Sequence, residues 1–244
     1  MSVRFGGVAA LADVSIVASE GRITGLIGPN GAGKTTLFNV ITGMRKPSQG
    51  TVVLDGRDLR GLSPHRRSRL GLGRTFQRLE LFGTLTVREN INVAASIGRR
   101  HFARRAQKEP SEPVGVLTER LIKAVHLEAV ADRRADTVST GTGRLVELAR
   151  ALAVKPSVLL LDEPASGQNA EETEEFAGVL RRLAEDGLAI LLVEHDMELV
   201  MGVCDNVYVL VQGSVLRSGT PSQVQNDPAV ATAYLGSLAG ANSA

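Results

Sequence analysis

A glycine-rich run near the start of the chain has the residue types and the spacing that bind phosphate. Residues 28–35 read Gly-Pro-Asn-Gly-Ala-Gly-Lys-Thr and match the pattern Gly-x-x-x-x-Gly-Lys-Ser/Thr. Glycines let the backbone N–H groups point inward at phosphate oxygens, and a helix that follows adds the positive end of its dipole. We predict that Lys34 reaches the β and γ phosphates of a nucleotide and that Thr35 binds Mg²⁺. A glycine-rich turn with an incidental lysine is the alternative.

Two acidic residues form a second candidate for chemistry. Asp162 and Glu163 directly follow the apolar run 158–161, which predicts a buried strand. Ligands of parallel sheets bind at the carboxyl ends of the strands, so both carboxylates are expected at a ligand site. Asp162 is placed to hold Mg²⁺ or its water, and Glu163 is the natural general base for an attacking water. An apolar strand that ends in Asp-Glu is common on its own, but together with the glycine-rich run it indicates nucleotide hydrolysis.

Hydrophobic periodicity predicts the elements that position these residues. Residues 22–27 become apolar and predict a strand that leads into the glycine-rich run, and residues 34–41 have helical spacing. The alternation of strands and helices after residue 155 is typical of a parallel sheet that is covered on both faces. Further strands are predicted at 51–54, 157–161, 188–193, 207–211 and 213–216, and further helices at 117–130, 144–154 and 170–185, followed by a last helix and a small-residue end at 236–244 that is expected to fray.

The chain is predicted to be a single α/β domain over residues 1–244. Residues 86–154 have a mainly helical pattern and predict a helical subdomain that is inserted into the core. Residues 1–85 and 155–244 are expected to form the α/β core together with a β subdomain. The strand at 51–54 ends in an Asp-Gly turn, which indicates a mixture of antiparallel and parallel pairing in the first part of the chain.

Composition narrows the class of protein. The chain has 244 residues, 43% of them hydrophobic, and a net charge of +2, which is too small to indicate nucleic acid or anionic lipid as the main partner. The single cysteine, Cys204, cannot form an intramolecular disulfide and is expected to be a small core residue in a reducing cytosol. No cluster of Cys and His has zinc-site spacing. Apolar runs are strand-length and residues 1–12 do not read as a signal peptide, so any membrane role is expected to be peripheral.

Four further motifs occur in the order that ABC-type ATPases use, and the resemblance covers nearly the whole chain. Gln77, in the stretch Arg-Thr-Phe-Gln, resembles the family's glutamine loop, and His195, after an apolar strand, resembles its switch histidine. Residues 138–142, Val-Ser-Thr-Gly-Thr, are similar to the family's signature Leu-Ser-Gly-Gly-Gln, from which the threonines depart. Phe5 matches the aromatic residue on which the family stacks adenine. Taken singly, these residues are also compatible with a cap, a surface position or simple packing.

The resemblance implies a P-loop NTPase of the ABC ATPase type, with a RecA-like core, an antiparallel β subdomain and an inserted helical subdomain. It implies an ATPase that binds ATP and Mg²⁺, in which the signature binds the ATP of the opposite subunit. Residues 166–169, Ser-Gly-Gln-Asn, deviate from the family's D-loop, so the resemblance constrains turnover and dimer coupling less than ATP binding.

Site residues are carried over from the family by matching motifs. The implied catalytic residues are Gln77, Glu163 and His195, and the implied metal ligands are Thr35, Gln77 and Asp162. The implied nucleotide-contacting residues are Phe5, Gly28, Pro29, Asn30, Gly31, Ala32, Gly33, Lys34, Thr35, Thr36 and Asp162, with Ser139 and Gly141 for the ATP of the opposite subunit.

Finer similarity points to one group within the family. Segments 71–77, 85–90, 193–197, 219–221 and 233–236 are similar to the ATPase subunits of importers of branched-chain amino acids. This resemblance implies a second ATPase subunit, identical or different, transmembrane permease subunits and, indirectly, a substrate-binding protein, at the cytoplasmic face of the cell membrane and without nucleic acid. None of these segments touches the transported molecule, so import of urea or short amides and export of lipopolysaccharide stay open.

Two other classes of P-loop protein are disfavoured. A soluble ABC-type ATPase that remodels protein, DNA or ribosomes typically has two cassettes or a long coiled-coil insertion, whereas this sequence has one P-loop and no sustained heptads. A P-loop kinase would need an acceptor-substrate lid and would lack the signature-like segment. We therefore expect a role in transport.

Two features are left without a function. The basic residues of the middle region are interpreted as a solvated face rather than a lipid-binding patch; they are Arg99, Arg100, His101, Arg104, Arg105 and Lys108. Family members have a further strand before the segment equivalent to residues 2–5. That strand is either dispensable in this chain or the sequence begins late.

Overall fold

Ten strands and nine α-helices make up the computed structural model, which describes residues 1–102 and 112–241. The strands are β1 (Val3–Phe5), β2 (Val8–Leu11), β3 (Ile23–Ile27), β4 (Val53–Leu54), β5 (Arg57–Asp58), β6 (Leu72–Arg74), β7 (Val158–Asp162), β8 (Ala189–Val193), β9 (Asn206–Val211) and β10 (Ser214–Gly219). The helices are α1 (Lys34–Ile41), α2 (Pro64–Arg69), α3 (Val87–Phe102), α4 (Val114–Ala124), α5 (Thr140–Leu152), α6 (Ala170–Glu185), α7 (Met197–Val203), α8 (Pro221–Gln225) and α9 (Pro228–Ala241). Of the basic residues, Arg99 is exposed on α3, and Arg104, Arg105 and Lys108 lie outside the described residues.

A six-stranded sheet in the order β10-β9-β3-β8-β7-β6 carries the fold. Its strands pair in parallel except for β10, which is antiparallel to β9. Strands β3 and β8 are buried along their whole length, because helices cover both faces of the sheet. This accounts for the unbroken apolar sequence of β8, whereas β3 buries one polar side chain, that of Thr24. The sheet confirms the predicted α/β class and brings the carboxyl ends of β3, β7 and β8 to one edge.

Two small antiparallel sheets accompany the central one. Strand β1 pairs with β2 and β4 pairs with β5, and a bridge between Ser2 and Gln49 connects the two regions. The β4–β5 hairpin turns at Asp55 and Gly56, whose φ values of 50° and 74° suit a two-residue hairpin loop. The predicted antiparallel pairing is confirmed, although β4 begins at Val53 rather than at residue 51.

Helices α4 and α5 differ from the predicted bounds at both ends, since α4 covers 114–124 instead of 117–130 and α5 covers 140–152 instead of 144–154. The predicted helix 117–130 is wrong at its end, because α4 stops before His126, which takes a left-handed φ of 58° and closes the helix. The predicted helix 144–154 is wrong at its start. Ser139 caps α5, since its Oγ accepts a hydrogen bond from the Thr142 N–H at 3.2 Å. The boundaries of the helical subdomain stay a prediction.

The C-terminal part is more regular than expected. Strand β10 continues three residues past the predicted end at residue 216. Helix α9 extends through the small residues as far as Ala241, so the segment that we expected to fray is helical up to that point. Residues 242–244 lie outside the described residues.

Apolar side chains alternate between the two faces of the sheet and form a cluster on each. Leu159 and Leu161 of β7 face one cluster and Leu160 faces the other, as the two-residue period of a strand requires. Cys204 lies in the larger cluster, where burial raises the pKa of its thiol to about 12. It is a core residue, as predicted. In the part of the chain that the structure describes, no helix has both the length and the apolar content to cross a membrane.

Candidate nucleotide-binding site

The glycine-rich run forms a tight loop between β3 and α1. Gly28, Gly31 and Gly33 have φ values of 148°, 78° and 107°, in the region that glycine enters without steric cost. A Cβ atom on Gly28 would collide with the carbonyl oxygen of Leu210, and one on Gly33 would lie 2.7 Å from the carbonyl oxygen of Ala10. Neighbouring backbone therefore requires glycine at both ends of the loop.

Lys34, the first residue of α1, folds back over this loop. Its Nζ donates hydrogen bonds to the carbonyl oxygens of Gly28 at 2.6 Å and Pro29 at 3.1 Å. Burial lowers the pKa of Lys34, while the nearby charges of Glu163 and Asp162 oppose that change. The ammonium group is thus held at the mouth of the loop and within the electrostatic influence of both carboxylates.

The amino end of α1 presents donors to the same space. Its N-cap, Gly33, has no side chain, and no side-chain cap or acidic residue occupies the first turn of this helix as described. The first N–H groups of a helix have no partner inside the helix, so this end can bind an anion. Thr35 is exposed and Thr36 half-buried in this turn, whereas Asn30 is exposed and Ala32 buried in the loop.

Asp162 and Glu163 reach different partners at the end of β7. Asp162 is 7% exposed, and its Oδ2 accepts a hydrogen bond from Nη2 of Arg74 at 2.9 Å. Glu163 has a φ of 49°, which is costly for a residue with a side chain. Its Oε2 accepts a hydrogen bond from Nε2 of Gln77 at 2.7 Å. At this strained turn of the backbone, the two consecutive carboxylates contact different side chains: Asp162 contacts Arg74 and Glu163 contacts Gln77.

His195 lies on the Glu163 side of the site. Its Nδ1 is 4.0 Å from Oε2 of Glu163 and 3.8 Å from Oε2 of Glu194, and the ring is largely exposed. Glu194 is buried and accepts hydrogen bonds from the N–H groups of Ala165 at 2.7 Å and His195 at 3.1 Å. Burial raises the pKa of Glu194. Glu194 therefore joins the loop after β8 to the loop after β7.

The backbone around Gln77 is held by α5. Arg144 is 5% exposed and donates from Nη1 to the carbonyl oxygen of Phe76 at 3.1 Å and from Nη2 to that of Gln77 at 2.5 Å. Its Nη1 also donates to Oε2 of Glu147 at 2.9 Å, and burial raises the pKa of Glu147. The loop that carries Gln77 is thus fixed to the helix that begins after Ser139.

The amino end of α5 surrounds a carboxylate of its own chain. Gly141 lies against Glu172, and a Cβ atom at position 141 would be 2.5 Å from Cδ of Glu172. Hydrogen bonds to the carboxylate lower the pKa of Glu172. The largest contribution comes from the Ser139 hydroxyl, and smaller ones come from the N–H groups of Asn169 and Gly141. Ser139 and Gly141 are therefore placed around the start of α6 rather than around Lys34.

Phe5, the predicted adenine-stacking residue, lies at the end of β1. It is 42% exposed, and the guanidinium carbon of Arg45 is 4.1 Å from the centroid of its ring, which is a cation–π contact. One face of the ring is thus covered by Arg45. Stacking of adenine on the other face stays a prediction.

Oxygen donors suited to Mg²⁺ are present beside the loop. They belong to the hydroxyl of Thr35, the carboxylate of Asp162 and the amide of Gln77. The ion pair of Asp162 with Arg74 uses Oδ2, so Oδ1 of the same carboxylate is not engaged by that contact. Among the described residues, no three acidic, His or Cys side chains are grouped to hold a metal ion. The residues present fit the metal.

The structure brings most of the sequence-predicted residues together. Lys34, Asp162, Glu163, Gln77 and His195 meet at the carboxyl edge of the sheet beside the loop, and their roles stay predictions. Sequence reasoning missed three charged residues that position them, namely Arg74, Arg144 and Glu194. It also missed Glu172, which lies against Gly141 instead. Arg74 gave no local signal, because strand β6, which ends at this residue, was not predicted from the sequence.

A phosphate loop between strand and helix, with an acidic pair at the same sheet edge, defines a P-loop nucleotide-binding domain. A family model described as ABC transporter matches residues 11–166, and one described as branched-chain amino acid ATP-binding cassette transporter matches residues 218–239. The chain therefore belongs to the ABC transporter family, whose ATP-binding cassettes are ATPases. The predicted family is confirmed.

Curated relatives cover nearly the whole chain. LivG of Salmonella typhimurium, a high-affinity branched-chain amino acid transport ATP-binding protein, is 42% identical over 97% of this chain and 95% of that protein. BraF of Pseudomonas aeruginosa, with the same description, is 38% identical with the same coverage. LptB of Haemophilus influenzae, a lipopolysaccharide export system ATP-binding protein, is 34% identical over 93% of this chain and 90% of that protein.

Solved structures share the fold. MJ1267, an ATP-binding cassette of an ABC transporter, superposes with a TM-score of 0.84 at 29% identity, over 96% of this chain and 95% of that chain. The ATP-binding cassette MJ0796, in a dimeric post-hydrolysis state bound to ADP and Pi, superposes with a TM-score of 0.73 at 26% identity, over 90% of this chain and 95% of that chain. The predicted ABC ATPase fold is confirmed.

Proposed function

We propose that this chain hydrolyses ATP to power the import of branched-chain amino acids. The observation that carries the ATPase function is the meeting of Lys34, Asp162, Glu163 and Gln77 beside an open phosphate loop. The substrate class is supported by the similarity to LivG and BraF and by the family match at residues 218–239.

Phosphate binding is assigned to the loop and α1. The N–H groups of residues 28–35 and the positive end of α1 would surround the β and γ phosphates, and Lys34 would exchange its two carbonyl contacts for phosphate oxygens. Thr35, Asp162 and Gln77 would hold Mg²⁺. The bound metal would neutralise phosphate charge. The free face of Phe5 would stack on adenine.

Glu163 is the proposed general base. Its Oε2 now accepts a hydrogen bond from Gln77, and a base must come within about 2.6–3.2 Å of the water that it activates. We therefore propose that Glu163 exchanges Gln77 for the attacking water when nucleotide binds. The amide oxygen of Gln77 would then be free to serve as a metal ligand, and His195, whose Nδ1 lies 4.0 Å from Oε2 of Glu163, would contact the γ phosphate.

A second ATPase subunit would complete the site. Ser139 and Gly141 surround Glu172 in this structure, so in our proposal they serve the ATP of a second subunit and the partner's Ser139 and Gly141 serve the ATP on Lys34. The dimeric state of the similar cassette MJ0796 supports this arrangement. We propose that the pair, identical or mixed, docks on permease subunits at the cytoplasmic face of the membrane, with a substrate-binding protein acting through them.

Purification from native membranes tests the partners and the substrate. A tagged chain in mild detergent should recover multi-span permease subunits, and the reconstituted complex should take up radiolabelled leucine when ATP is present. The same complex with Lys34→Ala is the control and should assemble without uptake. Uptake of urea, or recovery of lipopolysaccharide with the complex, would contradict the substrate class. Recovery of ribosomal or DNA-repair proteins without membrane subunits would contradict transport.

A further inference from the structure

A buried arginine that the proposed mechanism does not use lies directly behind the carboxylate of Asp162. Arg74 is the last residue of β6, and its side chain is 9% exposed. Nη2 donates to Oδ2 of Asp162 at 2.9 Å, while Nη1 donates to Oδ1 of Asn39 at 2.9 Å. A buried cation requires such partners, because the loss of its hydration is costly.

The guanidinium group of Arg74 connects three elements of the site. Asn39 lies on α1, the helix that begins with Lys34, and Asp162 ends β7. The group also lies 5.6 Å from the ring centroid of Phe38 and 5.0 Å from that of Phe76, the residue before Gln77. Rings and hydrogen bonds together restrict both the position and the rotation of this side chain.

We propose that Arg74 is a positioning residue that fixes the carboxylate of Asp162 for binding Mg²⁺, a role that rests on the proposed function. Because Arg74 binds Oδ2, it leaves Oδ1 for the metal and prevents the carboxylate from turning. A group that is already fixed loses less freedom when its ligand binds, so the metal binds more tightly. The fork of arginine allows this, since two separate N–H groups bond Asp162 and Asn39 at once.

A purely structural ion pair is the alternative explanation. Removal of either partner of a buried pair destabilises a protein whatever its function, so a lower melting temperature does not distinguish the two explanations. They differ in the effect of Mg²⁺. A positioning role predicts that the loss appears in the part of nucleotide affinity that depends on Mg²⁺, whereas a structural role predicts equal losses with and without the metal.

The test compares nucleotide affinity in the presence of Mg²⁺ and of EDTA. A fluorescent ATP analogue is titrated into the wild-type chain, Arg74→Met and Arg74→Lys, and the melting temperature is measured for each. Arg22→Met is the matched control, because Arg22 forms an ion pair with Asp205 at 2.6 Å that is exposed and lies before β3, at the opposite end of that strand from the loop.

We expect Mg²⁺ to strengthen binding by the wild-type chain and Arg22→Met equally. In Arg74→Met the gain from Mg²⁺ should fall by about 10- to 100-fold, the usual effect of removing a residue that orients a metal ligand. Affinity in EDTA should stay close to the wild-type value, since the hydrogen-bond partners of Arg74 among the described residues lie outside the loop; they are Asn39, Thr42, Met44 and Asp162. Arg74→Lys keeps the charge without the fork, so its gain should lie between those of Arg74→Met and the wild type.

Two results would overturn the proposal. One is a folded Arg74→Met variant that keeps the wild-type gain from Mg²⁺ or loses affinity equally in both conditions. The other is a wild-type gain in Arg74→Lys, which would show that charge without the fork is sufficient and would decide the matter even if Arg74→Met failed to fold. A wild-type chain whose ATP affinity does not respond to Mg²⁺ would contradict the proposed function itself, and this inference with it.

Discussion

Two helices begin where the sequence predicts phosphate binding, and their first turns differ in what they hold. Helix α1 begins after Gly33 without a side-chain cap in its described first turn, and Lys34 bends over its loop. Helix α5 begins after Ser139, which caps it, and Glu172 lies against Gly141. The first turn is open to an external anion, whereas the second already holds a carboxylate. We therefore expect one chain to bind a nucleotide at α1 as it stands, whereas α5 would first have to exchange the Glu172 carboxylate for phosphate.

This difference gives the two regions separate roles in the cycle. Binding at α1 requires only that Lys34 leave two carbonyl oxygens of its own loop. If α5 binds the γ phosphate held by a second subunit, as we propose, Glu172 would have to withdraw, because two anions at one helix terminus repel each other. In our proposal, closure of two subunits is therefore coupled to a movement of Glu172, and substitutions in the two regions should have distinguishable effects.

Replacement of Lys34 should have the largest effect. Lys34→Ala removes the charged donor at α1, and a hydrogen bond to a charged group contributes about 1.5–3 kcal/mol, so ATP affinity should fall by about 10- to 100-fold. Ser139→Ala is the matched change at α5 and should leave the affinity of a single chain for ATP nearly unchanged, because Ser139 lies at Glu172. Titration with a fluorescent ATP analogue at low protein concentration measures both. Equal losses of ATP affinity in Lys34→Ala and Ser139→Ala would contradict the difference that we infer between α1 and α5.

Crowding at Gly141 should have the next largest effect. Gly141→Ala places a Cβ atom 2.5 Å from Cδ of Glu172, and overpacking of this kind costs about 1–3 kcal/mol of unfolding free energy. Glu172→Ala in the same chain should recover most of that loss. Gly178→Ala on α6 is the control, because a Cβ atom there has no neighbour within 4 Å and alanine favours a helix. Urea denaturation measures all three; a stable Gly141→Ala chain would contradict the contact.

Removal of the charge at Glu172 should have the smallest effect and the opposite sign. Glu172→Gln keeps the shape of the side chain but no longer repels a phosphate, so ATP-dependent dimerisation should tighten by about two- to fivefold, the size of a surface charge interaction. Glu171→Gln changes the exposed neighbour and should have no effect. Sedimentation with ATP measures the dimer constant. An unchanged or weaker dimer in Glu172→Gln would show that Glu172 does not compete with phosphate.

Local sequence predicts the first region better than the second for a physical reason. The loop at residues 28–35 is one continuous segment, and its glycines are required by backbone conformation and by close neighbours. Residue type and spacing are therefore sufficient to predict this loop from the sequence. Helix α5 begins at Thr140 and has Gly141 and Gly143 near its start, which normally disfavour a helix, whereas the sequence predicted a start at residue 144. Side chains from distant parts of the sequence leave no room for a Cβ atom at either position. A Cβ atom at 141 would collide with Glu172, and one at 143 would be 2.7 Å from Cδ2 of Leu79.

The same limit applies to the charged residues that position the site. Arg74 and Asp162 are 88 residues apart in the chain and meet through the pairing of β6 with β7. A single sequence contains no local pattern for such a contact. The bounds of α1 and α6, by contrast, were predicted correctly, because periodicity and capping residues act within a few positions.

The most direct test of the account concerns Glu163. Glu163→Gln removes the proposed base but keeps the side chain's size, so ATP should still bind at α1 and still drive two subunits together. Because a general base contributes about 10²- to 10⁴-fold to a rate, hydrolysis should fall by at least about 100-fold, and a stable ATP-bound dimer should accumulate in light scattering. Hydrolysis by Glu163→Gln at the wild-type rate would contradict the assignment of Glu163 as the base.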